Sequence, residues 1–190
     1  MRLHYSGTYS LDPATLPQSG HRPGAVRFKE VKDTKALSMI ANGLCVVIII
    51  LLAVPAFIRC RGTFDQNQMI PACVLPIAVL LPHELLHAVC FREDVYLYTN
   101  LRQGMLFVIG AEDMSKSRFI FMSMLPNLVF GFIPYITGMA LPNLALAFFG
   151  ALCTGMGAGD YYNVFNTLTQ VPNGAKIYNY QFNSYWYLPK

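Results

Sequence analysis

The sequence predicts an all-α membrane protein: four transmembrane helices with a small cytoplasmic β-hairpin and an aromatic C-terminal tail. Apolar residues make up 54% of the 190-residue chain and charged residues only 13%, which is not the composition of an ordinary soluble domain. The apolar residues are also concentrated in runs almost free of charge, and each run reaches the roughly 20 residues that a helix needs to cross the hydrocarbon core. The predicted helices span residues 36–58, 69–91, 119–141 and 143–166.

Residues 1–35 form the predicted cytoplasmic N-terminal arm, which precedes a four-helix membrane domain of residues 36–168. The arm is rich in Pro, Gly and Ser, which predicts a loosely structured chain with one short strand near residues 3–9. The first apolar run starts only after this arm and is not followed by a small-residue cleavage site. It is therefore predicted to be a retained anchor rather than a signal peptide.

The second helix contains a proline, Pro82, directly before His83. Proline removes a backbone hydrogen bond inside a helix, but it suits the first turn of a new one. Either effect predicts that the second helix is broken just before His83. The alternative is that Pro82 has no such role, because membrane helices carry proline more often than soluble helices do.

A hairpin is predicted between the second and third helices, at about residues 95–109. Two short β-prone runs, residues 95–98 and 105–109, flank a segment that contains Asn100 and Gly104, and this is a hairpin pattern. The hairpin either only connects the two helices or offers an edge to which an extended peptide can add as a strand.

The third and fourth helices carry prolines, small residues and polar residues. Pro126 is expected to interrupt the third helix, and Asn127 beside it would hydrogen-bond either a substrate carbonyl or the freed backbone. In the fourth helix, Gly155 and Gly159 form a G-x-x-x-G pair, which permits close approach of a neighbouring helix. The cytoplasmic tail, residues 169–190, opens with a Pro-Asn-Gly turn and is then rich in aromatic residues, which predicts a position along the membrane interface.

The distribution of Lys and Arg predicts the orientation of the chain. Residues 1–35 carry six of them and residues 92–118 carry four, whereas residues 59–68 carry two. By the positive-inside rule, both termini and the 92–118 segment lie in the cytoplasm of a multi-pass cell-membrane protein. The net charge of +4 follows from this bias, so the lipid bilayer is the expected partner and no nucleic acid is required.

One short motif in the second helix points to chemistry. Residues 83–87 read His83-Glu84-Leu85-Leu86-His87, a complete H-E-x-x-H pattern. Residues four apart lie on the same face of a helix, so His83 and His87 can bind one metal ion. Glu84 is then placed to take a proton from a metal-bound water. His and Glu are costly at bilayer depth, which favours a functional role over packing.

Catalytic zinc usually takes three protein ligands and one water, so a third ligand is needed. His4 and His21 lie in the arm, and Asp160 is the only other acidic residue in a membrane run. In the predicted topology, His87 and Asp160 both lie on the order of 8 Å below the cytoplasmic surface. A Zn2+ site of His83, His87 and Asp160 is therefore favoured, and Cys90 is an alternative ligand because it lies three residues after His87.

The chain resembles the family described as putative zincin peptidases (DUF3267), distant relatives of the site-2 protease intramembrane metalloproteases. The resemblance covers most of the chain from about residue 30. It rests on His83-Glu84-x-x-His87 after a proline, on Glu112-Asp113-Met114-Ser115-Lys116, and on Gly159-Asp160 followed by Val171-Pro172-Asn173-Gly174-Ala175. It implies zinc on His83, His87 and Asp160, with Glu84 catalytic. The chain departs from site-2 proteases at the third ligand, where Ala158-Gly159-Asp160-Tyr161 replaces their Leu-Asp-Gly.

The expected function is an intramembrane zinc metallopeptidase that hydrolyses peptide bonds in or near the membrane. Zinc would activate a water molecule, and Glu84 would act as the general base. The expected partner is a membrane-protein or peptide substrate, and the sequence leaves the oligomeric state open. The alternatives are a metal-binding membrane transporter or sensor, for which four helices are few, and a catalytically inactive zinc-binding scaffold.

Overall fold

The structure is a computed structural model, and it describes residues 1–31, 34–100 and 105–189. The chain divides into two compact units. The first comprises Met1–Glu30, Glu84–Ser123 and Asn163–Lys190, and the second comprises Val31–His83 and Met124–Tyr162.

Long apolar helices dominate the second unit, as the sequence predicts. Helix α1 spans Thr34–Cys60 and α2 spans Gln66–Val89. Three segments are long and apolar enough to cross a membrane, namely Ala36–Thr63, Gln66–Val89 and Lys116–Ala140. This finding agrees with the prediction of a membrane protein.

The fourth predicted helix is divided into two. Helix α5 spans Leu144–Met156 and α6 spans Ala158–Gln170, and Gly157 separates them. Each is 13 residues long, or about 20 Å at 1.5 Å per residue, so neither alone matches the roughly 30 Å of a hydrocarbon core. Of the two, only α5 is strongly apolar.

The prediction of a break before His83 is wrong, because α2 continues through Pro82 without interruption. A membrane helix tolerates a proline when the freed carbonyl finds another partner, since the remaining backbone bonds cannot be exchanged for water. The interruption of the third segment is confirmed. Helix α3 ends at Pro126, a π-helical turn covers Asn127–Phe132, and α4 spans Ile133–Ala140.

Small residues allow close helix contacts in the second unit, but only half of the G-x-x-x-G pair takes part. A methyl group added at Gly155 would lie 2.4 Å from Ile49 Cγ1 and 3.0 Å from the Cys45 carbonyl oxygen of α1. At Gly159 an added methyl group would meet nothing within 4 Å. The close approach between α5 and α1 therefore depends on Gly155.

The first unit contains two β-sheets, where the sequence predicts one hairpin and one short strand near residues 3–9, the latter confirmed as β1 (Arg2–Thr8). Strands β1, β3 (Asp94–Asn100) and β4 (Met105–Ile109) form a sheet in the order β1-β3-β4. The antiparallel pairing of β3 with β4 confirms the predicted hairpin, although its turn at residues 101–104 lies outside the described residues. Strand β1 pairs in parallel with β3, and Arg2 aligns with Asp94.

The second sheet pairs a strand of the N-terminal arm with a strand near the C-terminus. Its order is β2-β7-β6-β5, with β2 at Val26–Arg27, β5 at Met114–Ser115, β6 at Lys176–Tyr180 and β7 at Asn183–Tyr187. The predicted Pro-Asn-Gly turn comes just before β6, and Gly174 in this turn has a φ of +82°. The fold is therefore mostly helical with two small sheets, rather than all-α with a single hairpin.

The core of the first unit encloses the C-terminal end of α2. Ala88 is 1% exposed and Phe91 is 5% exposed. They pack in one cluster with residues from the arm, both sheets and α3, namely Phe28, Val95, Met114, Phe119, Met122, Val171, Ala175 and Ile177. This packing holds the last turn of α2, where His87 lies.

Candidate metal centre

Helix α2 presents the H-E-x-x-H residues as one cluster of ligand atoms. His83, Glu84 and His87 each offer one such atom, and these atoms lie within 4.8 Å of one another. The spacing follows from the helix, because residues three and four positions apart, such as Glu84 and His83 relative to His87, lie on the same face of it. Among the described residues, this cluster of three includes neither Asp160 nor Cys90.

His87 has a hydrogen bond that orients its ring. Its Nδ1 atom lies 2.8 Å from the Met122 carbonyl oxygen of α3. A carbonyl only accepts, so Nδ1 carries the proton and donates, and in the neutral ring Nε2 keeps its lone pair. This is the arrangement of a metal-ligating histidine, whose second ring nitrogen donates to a carbonyl or carboxylate.

Glu84 is held by strand β4. Its Oε2 atom accepts a hydrogen bond of 3.0 Å from the Val108 amide. A carboxylate has two oxygens and about four lone-pair sites, so this contact orients the group without using up its capacity to accept a proton.

Asp160 lies against His83, as expected for residues that share a site. Its Oδ2 atom is 3.1 Å from His83 Nε2, and the side chains are only 14% and 17% exposed. Two donors to one tetrahedral zinc ion, each at about 2.0–2.2 Å, are about 3.3 Å apart. The observed separation is close to this value, so the two atoms are near enough to each other to bind one metal ion.

Asn127 has a hydrogen-bond partner that neither sequence-based alternative names. Its Nδ2 atom donates to the carboxylate of Asp160, at Oδ2, over 2.7 Å. In the sequence, Asn127 stands out only as a polar residue in an apolar run. No sequence pattern indicates that its partner is Asp160, which lies 33 residues away in the chain.

A second hydrogen-bond network, which the sequence does not predict, lies at the C-terminal end of α2. The Arg118 guanidinium donates from Nε and Nη2 to the Cys90 carbonyl, over 3.0 and 2.8 Å. It also pairs with Glu112, which is only 6% exposed. Glu112 Oε2 in turn accepts from the amides of Arg92 and Glu93 over 2.6 and 2.7 Å. The orphan backbone groups beyond α2 are thus satisfied by side chains.

The other candidate ligands lie elsewhere. The Cys90 thiol donates to the Leu86 carbonyl over 3.5 Å, which favours packing over metal binding. His4 pairs with Asp94 at 3.2 Å, and His21 Nδ1 lies 3.1 Å from the Tyr178 hydroxyl. Neither histidine belongs to the α2 cluster.

The donor chemistry fits zinc. Two imidazoles and a carboxylate, with one open position, form a common catalytic zinc set, and such borderline donors suit zinc better than magnesium or calcium. The Met122 contact gives His87 a tautomer that suits metal binding, and Asp160 touches His83.

Comparison with known protein families shows a match over the region of the site. A family model with the description "Putative zincin peptidase" (DUF3267) matches residues 77–176, which is more than half of the chain and includes the motif, Asp160 and the Glu112 network. No curated protein and no solved structure matches the chain. With its H-E-x-x-H cluster on α2, the chain belongs to the DUF3267 family of putative zincin peptidases.

Proposed function

We propose that this protein is an intramembrane zinc metallopeptidase that hydrolyses peptide bonds in or near the membrane. The observation that carries the proposal is the cluster of two imidazoles and a carboxylate within 4.8 Å. It lies on a helix long and apolar enough to cross a membrane. Ionisable groups are costly in such helices and usually mark functional sites.

His83, His87 and Asp160 are the residues that would hold the ion. The Met122 contact with His87 and the contact between His83 and Asp160 support this set. Zinc held there would lower the pKa of its coordinated water to about 7 and polarise the carbonyl of the scissile bond.

Glu84 is the general base in this proposal. Its carboxylate would accept a proton from the attacking water and then pass that proton to the leaving amine. The hydrogen bond from the Val108 amide holds one carboxylate oxygen in place, which reduces the freedom that the side chain must lose for proton transfer.

We also propose that the substrate binds in an extended conformation along β4. Among the described strands, β4 is at one end of its sheet, and Val108 of this strand contacts Glu84. An edge strand can bind a peptide by adding it to the sheet through main-chain hydrogen bonds. A peptide bound there would lie beside the general base.

The test compares the wild type with Glu84→Gln and His87→Ala, each purified as the full chain in detergent. Bound zinc is measured by elemental analysis, and hydrolysis is measured with fluorescent single-span membrane peptides. Glu84→Gln should keep zinc and lose about 10²–10⁴-fold in hydrolysis rate, because the base is removed and the ligands remain. His87→Ala should lose both.

Matched controls come from the first unit. Glu93→Gln and His4→Ala replace the same residue types at exposed positions, and both should keep zinc and hydrolysis. Wild type without zinc would overturn the proposal. Zinc binding without hydrolysis would favour an inactive scaffold, and zinc flux into liposomes would favour a transporter.

A further inference from the structure

The Asp160 carboxylate is held by a side chain that plays no part in the proposed chemistry. Asn127 is 1% exposed, and its Nδ2 atom donates to Asp160 Oδ2 over 2.7 Å. The same oxygen lies 3.1 Å from His83 Nε2. The amide therefore contacts the atom through which Asp160 faces the histidine.

A third residue fixes which way the Asn127 amide points. The Tyr161 hydroxyl donates to Asn127 Oδ1 over 3.1 Å. A carboxylate only accepts hydrogen bonds, so the NH2 group must face Asp160 and the amide oxygen must face Tyr161. The three side chains form a directed chain of donors from Tyr161 to Asn127 to Asp160.

The backbone makes room for this chain of donors. Asn127 is the first residue of the π-helical turn, a type of irregularity frequent at functional sites. A methyl group added at Gly157 would lie 1.6 Å from Asn127 Oδ1. Any side chain at position 157 would therefore displace the amide, and the break between α5 and α6 coincides with the space that the amide occupies.

We infer that Asn127 is a positioning residue that holds the Asp160 carboxylate as a metal ligand, and that Tyr161 acts through Asn127. The inference rests on the proposed zinc site. A donor on a ligating carboxylate restricts its rotation, so less freedom is lost when the ion binds. Loss of such an outer contact typically weakens metal binding by about 10–100-fold.

The test measures the dissociation constant for zinc by competition with a chelator, using the full chain in detergent. Asn127→Leu, which is close in size but cannot donate, should raise the dissociation constant by about 10–100-fold. Tyr161→Phe should raise it less. The double variant should match Asn127→Leu within about twofold if Tyr161 acts on Asp160 through the Asn127 amide.

A spectroscopic measurement separates positioning from general destabilisation. In the cobalt-substituted protein, Asn127→Leu and Tyr161→Phe should both change the ligand-field absorption bands, since these bands report the geometry of the donors. The control is Asn166→Leu, which removes a buried side-chain amide of α6, the helix of Tyr161, that accepts from Gln170. It should lower the melting temperature but leave the bands and the zinc affinity unchanged.

The outcomes distinguish this inference from the proposed function. If the wild type binds no zinc, both fail. If the wild type binds zinc and Tyr161→Phe and Asn127→Leu keep its affinity and spectrum, only the role of Asn127 is overturned. If Asn127→Leu does not fold, Tyr161→Phe alone tests the role of Asn127, because this variant loses only one hydroxyl group and should still fold.

Discussion

At the scale of single residues, His87 shows how a main-chain atom can prepare a side chain for a metal. Its Nδ1 proton is donated to the Met122 carbonyl, and no substitution of the Met122 side chain removes that acceptor. His87 is 8% exposed, so water competes little for the ring. The tautomer is thus set by the packing of α3 in the first unit, before any ion binds.

Glu30 provides a prediction of pH dependence at the same scale. Burial raises the pKa of its carboxyl, against the hydrogen bond from the Ser184 amide and the nearby Arg27 charge, which lower it. With a raised native pKa, the folded state holds the proton more tightly than the unfolded state. The stabilisation is complete below the unfolded pKa of about 4.3 and is lost as the pH rises through the native pKa.

We therefore expect Glu30→Gln to raise the melting temperature at pH 8, because the amide carries no charge to bury. At pH 4 the variant and the wild type should melt at nearly the same temperature. Thermal unfolding of the full chain in detergent at both pH values tests this. Asp12→Asn, at an exposed position, is the control, and a variant less stable than wild type at pH 8 would contradict the expectation.

At the scale of elements, the end of α2 depends on Arg118. Its guanidinium binds both the Cys90 carbonyl and the buried carboxylate of Glu112. Arg118→Met keeps the aliphatic stem but leaves that carboxylate without its cation, which costs about 3–5 kcal/mol for a buried pair. We expect a correspondingly large fall in the free energy of unfolding, measured by denaturant titration in detergent.

The control for Arg118 is Arg92→Met, which changes an exposed arginine whose backbone amide, not its side chain, contacts Glu112. Surface charges contribute about 0–1 kcal/mol, so this variant should remain close to wild type. Equal falls in the free energy of unfolding for both variants would show that the Arg118–Glu112 pair contributes no more than a surface charge does. Arg118→Met with Glu112→Leu should recover part of the loss, since no buried charge is then left unpaired.

The sequence predicts those elements whose signals are local. The charge-free runs and the spacing of His83 and His87 are each visible within one helix, and the pattern of the β3–β4 hairpin is visible within about 15 residues. Pairings between distant segments have no such signal. Val26 pairs with Trp186 in the second sheet, and Asn127 hydrogen-bonds Asp160. Both contacts depend on how distant segments pack, which the local sequence does not indicate. The continuity of α2 at Pro82 likewise depends on its surroundings and not on proline alone.

At the scale of the whole molecule, the strand pairings limit how often the chain can cross the membrane. Strand β2, just before α1, pairs with β7 near the C-terminus. Strand β5, between α2 and α3, pairs with β6, beyond α6. Strands hydrogen-bonded in one sheet lie on one side of a bilayer. If the apolar helices cross a membrane, the chain must therefore cross it an even number of times between β2 and β5, and again an even number of times between β5 and β6.

Three crossings would be incompatible with this pairing, so we propose that α5 and α6 together supply the return that follows α3 and α4. At about 20 Å each, the two helices can cross the hydrocarbon core jointly but not singly. We therefore expect both termini on one side, and the excess of Lys and Arg predicts that this side is the cytoplasm.

Labelling of single cysteines with a membrane-impermeant maleimide tests this topology, in a variant whose five native cysteines are replaced by serine or alanine. In intact cells, Gly62→Cys in the turn after α1 and Leu141→Cys after α4 should react, because both turns face outward. Ser10→Cys and Leu188→Cys should react only after the cells are permeabilised, which also serves as the control for reactivity. Reaction of Leu188→Cys but not Ser10→Cys in intact cells would mean an odd number of crossings, and the pairing of β2 with β7 could not then hold in the membrane.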